Sequence, residues 1–574
     1  MAYIVKRKNR EGNEYVYLVE SFREKDKVKN RTLKTYGRYD ALEEANPGTY
    51  ERLRQQAEQG LLVGEMPKQL KVTYDTEMEI GLFDKTYGWK LFESMMERLH
   101  IEQALIETVG EKAKAERLKT ILELLVYQRI LHPGSKLYTL HRQAEMFGTW
   151  EIDENALYRS LGTLAEAKER IQWEAHRSIT ELTNRTGTLV FYDVTNYYFD
   201  IDFDDPDKTD ESSGEVTEGF RKRGPCKAHS GNPIVQMGLF MDAQGIPISY
   251  QLFRGNFTDP VTYLPAIEQV KKQFGLERIV VVADKAMNSK NNVTKTHQNQ
   301  DGWLFSQKHR GVQGSSKELQ TFLLDPSGWE FNEAMTFASK SMIRKRKLKD
   351  QTTIAEKVLV TWNKKYAERE RTRRDGALEY ASKLTDAELY RQTSKRGGKK
   401  YLEVSYLDQT TGEIKPFSPL IQLDLERIAF DEQFDGINVL VTSETKMTDE
   451  EMIEAYGQLY LIEDCFRVTK TELSAKPVYV RLETHIEAHF LTCFLALVLV
   501  RLIQHKTKWT FSVETLIEAL NSARATELTT GFYKVQANES LKQILQALKI
   551  PWDKAIVRYE DLKNFGKDWC TTNP

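Results

Sequence analysis

The spacing of apolar and polar positions divides the chain into stretches of different period. Residues 15–22 (YVYLVESF) alternate apolar and polar side chains after a Gly-Asn turn, which predicts a small β-hairpin or sheet. From 41 to 180 the spacing becomes helical. Residues 115–131 (AERLKTILELLVYQRIL) carry apolar side chains at three- and four-residue intervals and stop at His132-Pro133-Gly134. A second long helical stretch is predicted from about Asn155 to Leu182. From 187 the pattern changes. Residues 187–200 (GTLVFYDVTNYYFD) read as a strand rich in β-branched and aromatic residues, and 234–256 read as two strands around Ala243-Gln244-Gly245. A helix near 261–275, a strand at 278–286 (RIVVVADKA), a helix at 288–298 and a strand at 302–309 follow. Three strands, then helix, strand, helix and strand, predict a mixed α/β domain.

Residues 310–440 break that rhythm. Beyond them Thr448-Asp449-Glu450-Glu451 forms a capping-box pattern, and one helix is predicted from there to about Leu473. Two more helices are predicted near 484–506 and 512–524. The most apolar run, 490–503, is shorter than a bilayer span and contains Arg501, so it reads as a buried core helix.

A length of 574 residues implies several domains. The formal charge of −2 excludes a uniformly basic nucleic-acid binder but conceals segregation. Residues 1–40 hold eleven bases against six acids, and 340–400 hold nineteen against eight. Such a block is the footprint of a polyanion-binding surface, with a plain solvated face as the alternative. The four cysteines (Cys226, Cys465, Cys493 and Cys570) form no C-x-x-C pair. A disulfide scaffold and a cysteine zinc site are therefore not expected, and a reducing compartment is.

Asp193 lies in a predicted strand, and Asp284 ends another, where α/β proteins build their sites. Either acid alone also reads as the cap of a turn. Tyr456, Glu463 and Lys470 are spaced by seven, nearly two helical turns, so on one helix they would share a stripe. Arg467 falls one turn beyond Glu463, a spacing that also suits a surface ion pair. Three separated carboxylates offer hard oxygen ligands to Mg²⁺, and paired ions of that kind serve phosphoryl transfer. His485 and His489 lack the H-E-x-x-H context of a zinc site. Trp303 reads as core, and Trp329 and Trp362 as core or as stacking platforms for an unpaired base.

These blocks together resemble a DDE transposase of bacterial insertion sequences, in the group with a Y-x2-R-x3-E-x6-K signature. Here the signature reads Tyr456-x2-Leu459-x3-Glu463-x6-Lys470, with Leu459 in place of the arginine. YDVTNYYF resembles the family's first-aspartate strand, ADKAMNS its second, and FRGNFTDPVTYL the G-N-x-x-D block between them. The resemblance implies a multidomain α/β protein: a ribonuclease-H-like mixed-sheet catalytic core interrupted by a mostly β insertion, with an N-terminal basic β-module and a helical region. The expected divisions are 1–45 (basic β-module), 46–182 (helical, possible DNA-end binding), 183–310 (core, first part), 311–440 (basic β-rich insertion), 441–510 (core, second part) and 511–574.

It further implies that Asp193, Asp284 and Glu463 hold Mg²⁺, with Mn²⁺ able to substitute. Tyr456 and Lys470 would contact DNA, Arg467 or Arg481 would replace the missing arginine, and Arg344, Lys345, Arg346 and Lys347 would meet phosphates. The partners implied are double-stranded DNA, as terminal inverted repeats and target, and a second copy of the chain. The expected place is the bacterial cytoplasm, on the nucleoid and away from membranes. A structure-selective endonuclease of the same fold and a catalytically inactive DNA-binding repressor are the alternatives.

Overall fold

The computed structural model describes all residues except 1, 10–11, 25–26, 46–47, 59–69, 71–83, 186–187, 211, 226–230, 311–316, 384–396, 406–419, 530, 568 and 571–574. Cys226 and the bases Arg391, Lys395 and Arg396 lie outside the described residues. The chain forms two compact units.

One unit comprises Met1–Leu91, His141–Glu151 and Thr515–Trp569. Its N-terminal part is a three-stranded antiparallel sheet (Ala2–Lys8, Glu14–Glu24 and Lys27–Arg38) followed by helices Tyr39–Ala45 and Thr49–Glu58. Ile4, Val16, Leu18 and Ala57 form its small core. The Lys6 ammonium lies over the rings of Tyr39 and Tyr50, at 3.2 and 4.2 Å from their centroids. A second sheet joins Asp84–Thr86 to Arg524–Thr529, Phe532–Gln536 and Ile556–Arg558. The expected division at 45/46 is therefore corrected, whereas the one at 510/511 moves only to 514/515, and the two terminal regions belong to one unit. Residues 84–91 leave the helical region and complete a sheet with strands more than 400 positions later.

The other unit comprises Phe92–Leu140, Ile152–Glu514 and Cys570–Pro574. It is built on one nine-stranded sheet. Its strands are β1 (Leu189–Tyr198), β2 (Ile234–Asp242), β3 (Pro247–Arg254), β4 (Val280–Ala283), β5 (Gly302–Ser306), β6 (Glu330–Phe331), β7 (Phe337–Lys347), β8 (Thr353–Asn363) and β9 (Ile437–Thr442). Their order across the sheet is β6-β7-β8-β9-β5-β4-β1-β2-β3. β1, β2 and β3 pair antiparallel, while β4 and β5 run parallel to β1, which is the ribonuclease-H-like arrangement. β4 and β5 are buried on both faces, which is why their sequences, VVVA and GWLFS, lack polar alternation. Four strands between the two halves of the core join the same sheet, while Leu402–Ser405 and Leu420–Leu423 pair as a separate two-stranded sheet. β9, β8, β7 and β6 extend it antiparallel from β5.

Helices cover both faces. Among them are α1 (Lys112–Leu131), α2 (Glu154–Glu166), α3 (Lys168–Thr183), α4 (Asp259–Phe274), α5 (Lys290–Gln298), α6 (Lys364–Ser382), α7 (Asp449–Gly457), α8 (Tyr460–Lys470) and α9 (Glu483–Lys506). Alternation along β1 decides what each face receives. Tyr192 and Val194 point into a core shared with Tyr263 of α4 and Val293 of α5. Tyr197 points to the opposite side, where its ring packs on Phe490 of α9 with centroids 4.8 Å apart.

α9 is apolar all round, so it must be buried on all sides. It is 24 residues long, enough to cross a membrane, and 94% of its most apolar window is buried inside the protein. Burial, and not shortness, makes it a core helix, which corrects the length argument. The predicted helix from 155 to 182 is two helices meeting at Ala167.

Candidate active site

The strand register brings the two aspartates together. Val280, Val281 and Val282 of β4 pair in parallel with Leu189, Val190 and Phe191 of β1. Continued by two residues, this register sets Asp284 beside Asp193. On its other side, β4 aligns Ala283 with Phe305, so Ser306 stands next to Asp284. Adjacent strands lie ~4.8 Å apart, so the three side chains occupy one level of three neighbouring strands. Asp193 shares its face with Thr195 and Tyr197, the face that α8 covers. Tyr197 Oη and Thr469 Oγ1 of α8 are 2.8 Å apart, and Lys470 Nζ donates to Thr195 Oγ1.

Glu463 arrives by a route other than the expected one. α7 starts at Thr448 with the expected capping box, but the helix does not continue to Leu473. It stops at Gly457. The N–H groups of Leu459, Leu461 and Ile462 then bond to carbonyls three residues back, at 3.1, 2.9 and 3.2 Å. A glycine weakens a helix at this point, and the tighter three-residue turns advance more degrees per residue than an α-helix does. Tyr456, Glu463 and Lys470 are therefore not one stripe on one helix. Glu463 is exposed in the first turn of α8, and Leu459 sits in the junction.

Tyr456 records the result. Burial pushes its phenol up to about 12, and the charges of Asp284, Glu463 and Asp193 add to the rise, in that order, against a hydrogen bond with the Ser306 side chain. One hydroxyl thus feels all three carboxylates, although they come from residues 270 positions apart in the chain. At neutral pH this phenol keeps its proton and can act as a donor.

Among the described residues, no three His, Cys, Asp or Glu side chains stand close enough together to hold one ion. In kind, the donors fit a hard divalent cation, because all three are carboxylates. His489 is buried with its ring nitrogen 3.1 Å from the Ala475 carbonyl, and His485 stacks near Tyr158, so the two histidines have local partners.

Residues 207–499, just over half of the chain, match the family model described as the transposase DDE domain. The chain belongs to the DDE transposase family. Residues 3–61 match the N-terminal domain of IS1634 family transposases, which makes this a DNA transposase of a bacterial insertion sequence. The DDE-domain match begins after the strand that carries Asp193. Among solved structures, the chain is similar to the piggyBac transposase synaptic complex with hairpin DNA, at 9% identity and a TM-score of 0.35, covering 84% of each chain. It is also similar to the Mos1 transposase paired-end complex with the left transposon end, at 13% identity and 0.14, covering 46% of this chain and 70% of that one. No curated protein matches. Enzymes of the DDE family depend on a divalent metal ion.

The transposase's basic residues divide into two groups. β7 alternates faces, and so do its four consecutive bases. Lys345 and Lys347 are exposed. Arg344 and Arg346 turn the other way and bind the fully buried Glu356, each at 2.6 Å. The expectation of four phosphate-facing bases is corrected for those two, because a buried carboxylate already holds them. Arg374 is likewise held by Asp435 at 2.6 Å and Lys357 by Asp449 at 2.7 Å. A residue count therefore overstates the charge the block shows to solvent. Lys364, Lys365, Arg369, Arg371 and Arg373 on α6 are exposed.

Arg467 pairs with Asp464 at 2.8 Å and also with Glu472, not with Glu463, so two carboxylates offset its charge. Arg481 is exposed. Trp303 is buried and donates to Glu356 at 3.3 Å. Trp329 and Trp362 line a pocket of about 890 Å³ with Phe331 and Arg371.

Sequence reasoning missed Ser306, Thr195 and Asn288. Asn288 and Thr195 carried a signal, their places in the ADKAMNS and YDVTNYYF blocks, and Ser306 carried none. The Gly-Asn block has a steric reason. A Cβ on Gly255 would lie 2.1 Å from the Lys222 carbonyl oxygen and 2.2 Å from that of Ile234.

Proposed function

We propose that this transposase binds the terminal inverted repeats of its element as a dimer, cleaves the DNA ends and joins them to target DNA. Asp193, Asp284 and Glu463 would hold Mg²⁺, or Mn²⁺ in its place. When bound, such ions supply a polarised nucleophile and stabilise the leaving oxygen in phosphoryl transfer. The chain's own residues orient the ends. Tyr456 offers a protonated hydroxyl beside the acids, and Lys470 brings a cation to the same sheet face. The single observation that supports the reading best is the parallel register of β1 and β4, which sets Asp284 beside Asp193. The protein would then work in the bacterial cytoplasm, on nucleoid DNA.

The direct test incubates the protein and Mg²⁺ with inverted-repeat DNA and a supercoiled plasmid. Transposition predicts end cleavage and integrants. Nicking without integrants would support the endonuclease, and neither product would support the inactive repressor.

The exposed bases of β7 give a second expected result. Replacing Lys345 and Lys347 with Ala should weaken binding to DNA of any sequence and reduce the slope of log affinity against log salt by about two. A filter-binding salt titration measures it, and an unchanged slope would leave these lysines a solvated face.

Second-strand cleavage gives a further expected result. If the freed 3′-hydroxyl attacks the opposite strand, end-labelled DNA should give a covalently closed hairpin early on denaturing gels. Double-strand breaks accumulating without it, even in slowed Lys470→Ala reactions, would exclude that route.

A further inference from the structure

The segment after Asp284 is a short turn. The Met287 N–H donates to the Asp284 carbonyl at 3.0 Å, and the Ser289 side chain then caps α5. Asn288 lies at its centre and uses both ends of its amide. Its Nδ2 donates to the Ser306 carbonyl at 3.1 Å and to Gln307 Oε1 at 3.0 Å, which fastens the turn to the end of β5. Its Oδ1 accepts from Arg346 Nη2 at 2.9 Å.

The other arm of Arg346 reaches the buried carboxylate. Its Nη1 donates to Glu356 Oε1 at 2.6 Å, and Trp303 Nε1 donates to the same oxygen at 3.3 Å. Glu356 Oε2 is taken by Arg344, through Nε at 2.9 Å and Nη2 at 2.6 Å. Arg344 alone therefore neutralises Glu356. A second guanidinium on one buried carboxylate is not needed for charge balance. What Arg346 adds is its second donor arm, rigidly set by the planar fork, which spans from Glu356 to Asn288.

We infer that Arg346 is a positioning residue: by linking Glu356 to Asn288 it fixes the turn that follows Asp284 and holds that carboxylate level with Asp193. The inference rests on the assignment of Asp284 as a metal-holding carboxylate. It also gives the β7–β8 hairpin, entered in the chain 50 residues after that turn, a part in setting the site.

The test uses the full-length protein with Arg346→Lys, Asn288→Ala and the double variant. Lysine at 346 keeps a cation on Glu356 but cannot span to Asn288. Asn288→Ala cuts the same link from a half-buried turn, where the fold is at little risk. The contact from Asn292 Nδ2 to the Met287 carbonyl, at 3.2 Å, remains to hold the turn in place. The readouts are Mn²⁺ affinity by electron paramagnetic resonance titration, single-turnover cleavage of saturated inverted-repeat DNA, and DNA affinity.

Each single variant should lose about 10- to 100-fold in Mn²⁺ affinity or cleavage rate, as partners of metal-holding groups do, with DNA affinity unchanged. The double variant should lose no more than Asn288→Ala alone, because that change already removes the link that Arg346→Lys breaks, along with the two bonds of Asn288 Nδ2. Arg346→Lys with wild-type Mn²⁺ affinity and cleavage would overturn the inference, and so would losses that multiply in the double variant. A wild-type protein that binds Mn²⁺ but cleaves nothing would count against the transposition reading, while the Mn²⁺ titrations would still decide the role of Arg346.

Discussion

Asp193→Asn, Asp284→Asn and Glu463→Gln are each expected to abolish strand cleavage, by about three orders of magnitude or ~4 kcal/mol of transition-state stabilisation. Each change removes one anionic ligand at nearly constant volume. Asp193 and Asp284 are half-buried and Glu463 is exposed, so none anchors the core and folding should survive. The Tyr456 phenol is raised mainly by burial, and each carboxylate adds a smaller part that its loss would remove. Its spectrophotometric titration should therefore move down in each variant. This gives a readout of proximity that does not depend on turnover. Cleavage by any of the three near the wild-type rate in Mg²⁺ would remove that residue from the triad.

The largest loss of stability is expected from Asp242→Ala. Asp242 closes β2 and is 2% exposed. Its Oδ2 accepts from Arg185 Nε at 2.6 Å, and its Oδ1 accepts from the N–H groups of Gln244 and Ile246, both at 2.9 Å. Arg185 is as deeply buried, and the carboxylate is what keeps its charge tolerable there. Truncation leaves a guanidinium buried without a counter-charge and frees two N–H groups of the β2–β3 turn. Breaking a buried pair from one side costs roughly 3–5 kcal/mol. Urea unfolding followed by tryptophan fluorescence measures it. Asp242→Asn should fall between, because the amide oxygen can still serve the turn. A midpoint shift equivalent to less than ~1 kcal/mol in Asp242→Ala would mean that water reaches Arg185 in place of the aspartate.

The first five strands of the catalytic sheet were legible one by one, whereas the four that extend it from β5 were legible only as a β-rich stretch. Runs such as VVVA and GWLFS announce buried parallel strands, because a strand covered on both faces has no polar position to spare. The Gly245 turn and the Thr448 capping box were legible because each depends on a few neighbouring residues. The family was legible from four ordered blocks. The two faces of β7 were also within reach, since alternation in SMIRKRK already separates Arg344 and Arg346 from Lys345 and Lys347.

What lay beyond the sequence depended on partners distant in the chain. Nothing local to Glu356 says that Arg344, Arg346 and Trp303 converge on it. Nothing in 84–86 says that three residues will pair with a strand beginning at Arg524. The break after Gly457 was hidden because its cost is small beside the packing on either side. Tertiary structure decided these points because a charge is neutralised, or a strand edge satisfied, by whatever the fold brings near. The level at which Asp193 meets Asp284 was decided in the same way, by the register between two parallel strands 91 positions apart.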